Sequence, residues 1–169
     1  MPGDQRPNGA AASTAGSATG SPLLDDVNRR LLTELNADPR ISMSALGRRL
    51  GMSAPAVTER LQRLERAGVV RGYRVDVDPA ALGLPVTAFA RIRPVAGQLA
   101  KVAELARELP QVSECHRITG EDCFLVKVHA PAVDRLEEVL DRFLLYGQTV
   151  TSIVVTTPVP PRPLPMDGI

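Results

Sequence analysis

Five side chains in one short stretch can hydrogen-bond the edges of bases: Thr58, Glu59, Arg60, Gln62 and Arg63. Hydroxyl, carboxylate, carboxamide and guanidinium are the groups that read a major groove, and arginine matches the paired acceptors of guanine. The residues just before them, Ser53, Ala54, Pro55 and Ala56, are small, so this end of the stretch can approach a duplex closely. Charge gathers in the same place. Residues 40–74 carry Arg40, Arg48, Arg49, Arg60, Arg63, Arg66, Arg71 and Arg74 against Glu59 and Glu65, giving 8 − 2 = +6 in a chain whose total is +1. An ordinary amphipathic helix with a solvated charged face shows similar residue types. Basic charge concentrated around one helix favours nucleic acid instead.

These residues need elements to hold them. Leu46 and Leu50, four apart, share one face of a short helix. Gly51-Met52-Ser53 reads as a tight turn. Ser53 caps a second helix, and Pro55 is tolerated in its first turn. Val57, Leu61 and Leu64 form its apolar stripe, which turns the base-reading residues outward. Gly68 can take the left-handed conformation that ends a helix. Upstream, Leu24, Val27, Leu31 and Leu35 lie on one side of a first helix capped by Asp25 and stopped at Asp38-Pro39. The spacing therefore predicts a three-helix core containing a helix-turn-helix. Val69 to Val77 is β-branched and partly alternating, which predicts a strand or hairpin wing; from it Arg71 and Arg74 would touch phosphates. Asp78-Pro79 to Gly83 is a turn-rich link, and the domain boundary is expected there.

Beyond it the pattern strand, helix, strand occurs twice. Strands are expected at residues 86–95, 111–119, 123–130 and 149–157. Helices are expected at 98–109, with Leu99, Val102, Ala106 and Leu109 on one face, and at 131–146, begun by Pro131 and ended by Gly147. The second stripe is Val133, Leu136, Leu140, Phe143 and Leu144. The order βαββαβ is the split-βαβ, ferredoxin-like arrangement. Residues 84–157 balance at 8 − 9 = −1, so this half shows no basic excess. Runs such as Phe124-Leu125-Val126 and Ile153-Val154-Val155 read as apolar on both faces, which predicts that a second copy covers the face the helices leave open. Gly120-Glu121-Asp122 reads as a hairpin tip. That tip sets Cys115 opposite about Val126 and predicts no Cys115–Cys123 bridge.

Composition narrows the classes further. Aromatic residues are 3% of the chain and there is no Trp, which disfavours single strands and RNA, since both are bound by base stacking. No apolar run approaches the ~20 residues that span a membrane, and the amino terminus lacks a signal-peptide pattern. Cys115 and Cys123 are the only cysteines and form no Cys-x-x-Cys pair, so reduced cytosolic thiols, a cytoplasmic protein, and neither metal nor cofactor are expected. His116 and His129 fall on predicted strands, where a partly buried histidine is the ordinary occurrence. Residues 1–22 are Gly, Ala, Ser, Thr and Pro with almost no large apolar side chain, a composition expected to be disordered. Residues 158–169 are proline-dense and expected to be extended or disordered.

The fold class expected is thus α+β: a winged helix-turn-helix over residues 23–83, then a ferredoxin-like βαββαβ domain over 84–157. This order resembles the Lrp/AsnC (leucine-responsive, or feast/famine) family of transcription regulators over about Leu24 to Thr157. The resemblance is carried by Leu24-Asp25, Arg60, Leu64-Glu65, Ala67-Gly68-Val69-Val70, Thr119-Gly120-Glu121-Asp122 before Leu125 and Val128, and Gly147-Gln148-Thr149-Val150-Thr151-Ser152. Asn28 and Cys123 depart from the aspartates usual there. The resemblance implies a double-stranded-DNA-binding dimer or higher homo-oligomer with a small effector, often an amino acid, bound between second domains. It places that effector near Gly120, Glu121, Asp122 and Cys123, with the hydroxyls of Thr149, Thr151 and Ser152 available to a carboxylate. Two other readings stand beside it. One is an enzyme resembling the siroheme-type decarboxylases, using His116 or His129 with nearby arginines. It leaves the +6 cluster without a role, and no catalytic residue is assigned. The other is an architectural DNA-binding protein with no ligand.

Overall fold

The computed structural model describes residues 21–166, so nearly all of the amino-terminal segment expected to be disordered lies outside the described residues. The chain divides into two compact units. One runs up to Tyr73 and takes in the segment from Pro163; the other is Arg74–Arg162. The division falls earlier than the boundary expected after Gly83. The turn-rich link is an ordered 3-10 turn, Pro79–Leu82, whose Ala80 amide donates to Asp78 at 3.0 Å. Its composition marked a turn, not the unit with which the turn packs.

The first unit is three helices, α1 (Asp26–Ala37), α2 (Met43–Leu50) and α3 (Ala54–Arg66). Each begins on a side chain that accepts one of the amides a helix start leaves free. Asp25 accepts from Asn28, Ser42 from Ala45 and Ser53 from Ala56. Leu31, Ile41, Leu46, Val57, Leu61 and Leu64 form the shared core. The α2–α3 turn depends on two glycines. Gly51 sits at φ +69°, a left-handed conformation that costs glycine nothing. At Gly47 a Cβ would lie 2.6 Å from the Met52 carbonyl oxygen, so only glycine lets the turn fold back onto α2. Gly68, at φ +70°, ends α3. The Gly68 amide donates to Glu65 and the Val69 amide to Leu64 at 2.9 Å each, the double bond of a Schellman cap.

The expected wing strand is absent. Residues 71–78 form no helix or strand, with Val75 87% exposed. A strand exists only by pairing, and the described chain offers this segment no partner. Within it the Tyr73 hydroxyl donates to Glu65 at 2.7 Å. Burial, then the Glu65 carboxylate, pushes the Tyr73 phenol up to about 12. Residues 154–166 also hold no helix or strand, and the Arg29 guanidinium donates to the Met166 carbonyl.

The second unit is β1 (Val86–Pro94), α4 (Leu99–Glu108), β2 (Val112–Arg117), β3 (Phe124–Ala130), α5 (Val133–Leu144) and β4 (Gly147–Ile153). The sheet order is β2-β3-β1-β4, every neighbouring pair antiparallel, as the βαββαβ reading requires. Val102, Leu105 and Ala106 of α4 and Leu136, Val139 and Phe143 of α5 pack on Ala88, Ile92, Phe124, Val126 and Val128. Leu99, Val133 and Leu144, expected in the stripes, are exposed instead. They sit at helix ends. Pro131 precedes α5 rather than opening it. Gly147 opens β4 rather than ending α5, and a Cβ there would lie 2.2 Å from the Arg93 carbonyl oxygen, so only glycine lets β4 start this close to β1. Cys115 pairs with Val126, and both thiols are free.

The sheet's other face is not the apolar surface expected. Register sets Glu114, Lys127, Phe89 and Ser152 in one row and His116, Leu125, Arg91 and Val150 in the next. Of these eight residues only Phe89, Leu125 and Val150 are apolar. Period-two alternation explains the difference: Phe124 and Val126 turn to the helices, Leu125 away, and Val155 lies beyond β4.

Candidate nucleic-acid interface

The α3 surface follows from its stripe. With Val57, Leu61 and Leu64 buried, Pro55, Glu59, Gln62, Arg63 and Arg66 come out exposed on the opposite side. Ser53, exposed, and Ala54 and Ala56, half-buried, form the slim start of the helix. Thr58 is half-buried and its hydroxyl donates to the Ala54 carbonyl at 2.9 Å. Gln62 and Arg63 are the long polar side chains at the centre of this face. Arg63 has no ion-pair partner among the described residues, which leaves its fork free for a phosphate or a guanine.

Arg60 is placed differently from its neighbours. Its guanidinium pairs with Asp25 at 2.9 Å and donates to the Asn28 amide oxygen at 3.2 Å. Asn28 is fully buried and its amide nitrogen donates to the Leu23 carbonyl at 2.7 Å. Asp25 therefore does two things: one oxygen caps α1 and the other receives Arg60. The Asn28 amide first, and the Arg60 guanidinium second, hold the Asp25 carboxyl below the usual carboxylate range. This network fastens the middle of α3 to the start of α1. Sequence spacing put Arg60 on a flank of the reading face but could not show which way it turns, since that depends on how α1 crosses α3.

Two of the eight arginines in the basic cluster are thus neutralised by acids from α1, Arg60 by Asp25 and Arg49 by Glu34 at 2.5 Å. Arg40, Arg48, Arg63, Arg66, Arg71 and Arg74 remain without an ion pair among the described residues and are exposed. Arg71 lies beyond α3 in the irregular segment, and Arg74 belongs to the second unit.

The Gly120–Asp122 tip closes the β2–β3 connection. Ile118 donates to the Cys123 carbonyl at 3.0 Å and Cys123 to the Ile92 carbonyl at 2.9 Å. Gly120 sits at φ +106°. Two residues outside the expected set, Arg91 and Arg93 of β1, complete this site. Arg93 pairs with Glu121 and, through Nε, with Asp122 at 3.5 Å; Arg91 approaches Asp122 at 3.7 Å. The acids offered to an ammonium group are thus already neutralised. The signal for Arg91 and Arg93 was present: Thr87, Phe89, Arg91 and Arg93 alternate with Val86, Ala88, Ala90 and Ile92. The same alternation separates the three hydroxyls. Thr149 and Thr151 pair with Ile92 and Ala90 on the helix side, whereas Ser152 pairs with Phe89 on the other face. Cys123 is half-buried, its thiol 3.9 Å from the Glu121 carbonyl oxygen.

Both histidines lie on the open sheet face. His129 hydrogen-bonds Thr87 at Nδ1, 3.0 Å, and Ser113 at Nε2, 2.9 Å. Burial, with Lys127 nearby, holds it below its ordinary value. His116 meets Glu114 at 3.2 Å, and Lys127 reaches the same carboxylate at 3.1 Å. His116 first, then Lys127, hold the Glu114 carboxyl low. No helix is long and apolar enough to cross a membrane among the described residues.

Comparison with known proteins gives a consistent picture. A family model described as the AsnC-type helix-turn-helix domain matches residues 24–65, and one described as the Lrp/AsnC ligand binding domain matches residues 87–164. The HTH-type transcriptional regulator LrpC of Bacillus subtilis is 33% identical over 131 residues, 78% of this chain and 91% of LrpC. The HTH-type transcriptional regulator LrpA of Mycobacterium tuberculosis is 37% identical over 137 residues, 79% of this chain and 91% of its own. The solved structure of B. subtilis LrpC superposes with a TM-score of 0.75, covering 79% of this chain and 95% of that one. A Neisseria meningitidis transcriptional regulator solved as an L-Met complex superposes at 0.77 with 25% identity, covering 85% and 97%.

Proposed function

Because the chain belongs to the Lrp/AsnC family of transcriptional regulators, we propose that it binds duplex DNA sequence-specifically through α3 and that a small effector, an amino acid, modulates that binding. The observation that carries the reading is the α3 face itself. Its amino terminus is slim and capped, Gln62 and Arg63 project free, and Arg60 fixes the helix from behind. In the major groove, Arg63 addresses a guanine and Gln62 an adenine. Arg48, Arg66 and Arg71 supply contacts to phosphates.

The effector is held at the Gly120–Asp122 tip. Its ammonium takes Glu121 or Asp122 and its carboxylate takes Arg91 or Arg93, so that one zwitterion exchanges the ion pairs the tip now makes with β1. Support comes from this clustering of two acids and two arginines at one end of the sheet, and from the Neisseria relative solved with L-Met. The protein works as a homodimer or larger assembly in which a second copy lies on the open sheet face, around Phe89, Leu125 and Val150. An effector that touches two copies shifts the assembly by its differential affinity and thereby alters DNA binding.

The experiment is titration of the protein onto duplex DNA from its own upstream region, with and without each amino acid, alongside calorimetry on wild type and Gly120→Val. Sequence-preferring binding that one amino acid changes supports the reading. DNA binding insensitive to every amino acid favours the architectural alternative and removes the effector.

A further inference from the structure

On the helices and strands of the second unit, most basic side chains have an acidic partner: Arg91, Arg93, Lys101, Lys127 and Arg135. Among the described residues Arg107, Arg117 and Arg142 have none. Two of these three, Arg107 and Arg117, line one groove of about 540 Å³ between α4 and the edge strand β2. Leu99, Ala103 and Arg107 stand four apart on one face of α4, and Cys115 and Arg117 alternate onto the same face of β2. Leu99, Ala103 and Phe124 give the groove an apolar wall. The Arg117 guanidinium lies over the Phe124 ring, 5.1 Å from its centre, a cation–π contact that holds it beside the apolar wall. No acid lines this groove. Glu104 and Glu108 of α4 face the other way, where they line a separate cleft with Arg142.

We propose that this groove binds an apolar carboxylate that carries no ammonium group. Its volume falls in the range of about 300–1,000 Å³ typical of small-molecule sites, which combine apolar walls with a few oriented polar groups. Two unpaired guanidiniums in reach of one apolar wall suit a carboxylate with an aryl or branched alkyl body. An amino acid does not suit it, since its ammonium would face two arginines with no acceptor carboxylate. The Gly120–Asp122 tip offers both signs of charge, this groove only one, so the two sites sort ligands by the presence of the ammonium. The proposal does not depend on the effector reading above.

The test uses the full chain with Cys123→Ser, which leaves Cys115 in the groove as its single thiol. The probes are 3-phenylpropanoate and phenylalanine, which differ only in the ammonium group. Alkylation of Cys115 by iodoacetamide is timed at fixed pH, and affinities are measured by calorimetry. At a concentration about ten times its Kd, 3-phenylpropanoate slows alkylation roughly tenfold by occupancy, while phenylalanine at that concentration leaves the rate unchanged. Arg107→Gln and Arg117→Gln, both changes of exposed side chains, each weaken binding by about tenfold or more, and Gly120→Val leaves it intact. Absence of protection, equal protection by phenylalanine, or undiminished binding in both arginine variants overturns the proposal.

Discussion

Arg60 and Arg63, three residues apart on one helix, should fail in opposite ways. Replacing Arg60 with alanine removes the Asp25 pair and leaves the Asn28 amide oxygen, in a fully buried side chain, without its donor. A buried acceptor left unsatisfied costs about 1–3 kcal/mol. The ion pair adds at most about 1 kcal/mol, because Asp25 is 49% exposed and water screens it. Arg60→Ala should therefore lower stability by roughly 2 kcal/mol. Asp25→Asn keeps the cap but loses the pair, and should cost about 1 kcal/mol or less. Arg63→Ala touches nothing in the fold and should fall within about 0.5 kcal/mol of wild type. On DNA the order reverses. Arg63→Ala should lose about 1–3 kcal/mol of specific affinity if it contacts a base, whereas Arg60→Ala, measured well below its melting temperature, should bind nearly as wild type. Urea unfolding followed by circular dichroism gives the first set, and fluorescence anisotropy on labelled duplex gives the second. An Arg60→Ala protein of unchanged stability that no longer binds DNA would refute the reasoning.

Gly47→Ala should destabilise the helix-turn-helix by about 1–3 kcal/mol through overpacking, because its Cβ would sit 2.6 Å from the Met52 carbonyl oxygen; thermal denaturation against wild type checks it. Tyr73 titrates at about 12 against an ordinary 10.0. The folded state therefore keeps a proton the unfolded state releases, and stability falls as pH rises from about 10 to about 12. Tyr73→Phe should flatten that slope in urea titrations across the window, and an unchanged slope would assign the loss elsewhere. If the open sheet face is covered by a second copy, Phe89→Glu should drive the protein toward monomer in sedimentation velocity while circular dichroism stays native. A wild-type monomer at micromolar concentration would remove that interface.

The helices of the first unit were legible because their apolar residues recur at helical spacing and their caps are short-range signals: Ser53, Gly68 and the Val57-Leu61-Leu64 stripe each act within a few residues. The βαββαβ order was legible for the same reason. What escaped depends on partners distant in sequence. The segment after Gly68 has the composition of a strand, but composition supplies no pairing edge, so it stays irregular. Arg60 was visible as a charged flank residue, and its partners Asp25 and Asn28 lie 35 and 32 positions away. The open sheet face was overread because Phe124-Leu125-Val126 looks continuous until register sends Leu125 to the side of His116 and Arg91. At the candidate effector site the glycine turn was plain, but the ion pairs of Arg91 and Arg93 with it needed β1 and the β2–β3 tip to be brought together.

The central claim is that the outward face of α3 reads base sequence. It is tested most directly by the specificity ratio: affinity for the preferred duplex divided by affinity for a scrambled duplex of equal length, at one salt concentration, for wild type and for a Gln62→Ala, Arg63→Ala double variant. The account predicts that the ratio collapses toward one while scrambled-duplex binding weakens only modestly, because phosphate contacts from the surrounding arginines remain. A double variant that is folded and retains the wild-type ratio would contradict it.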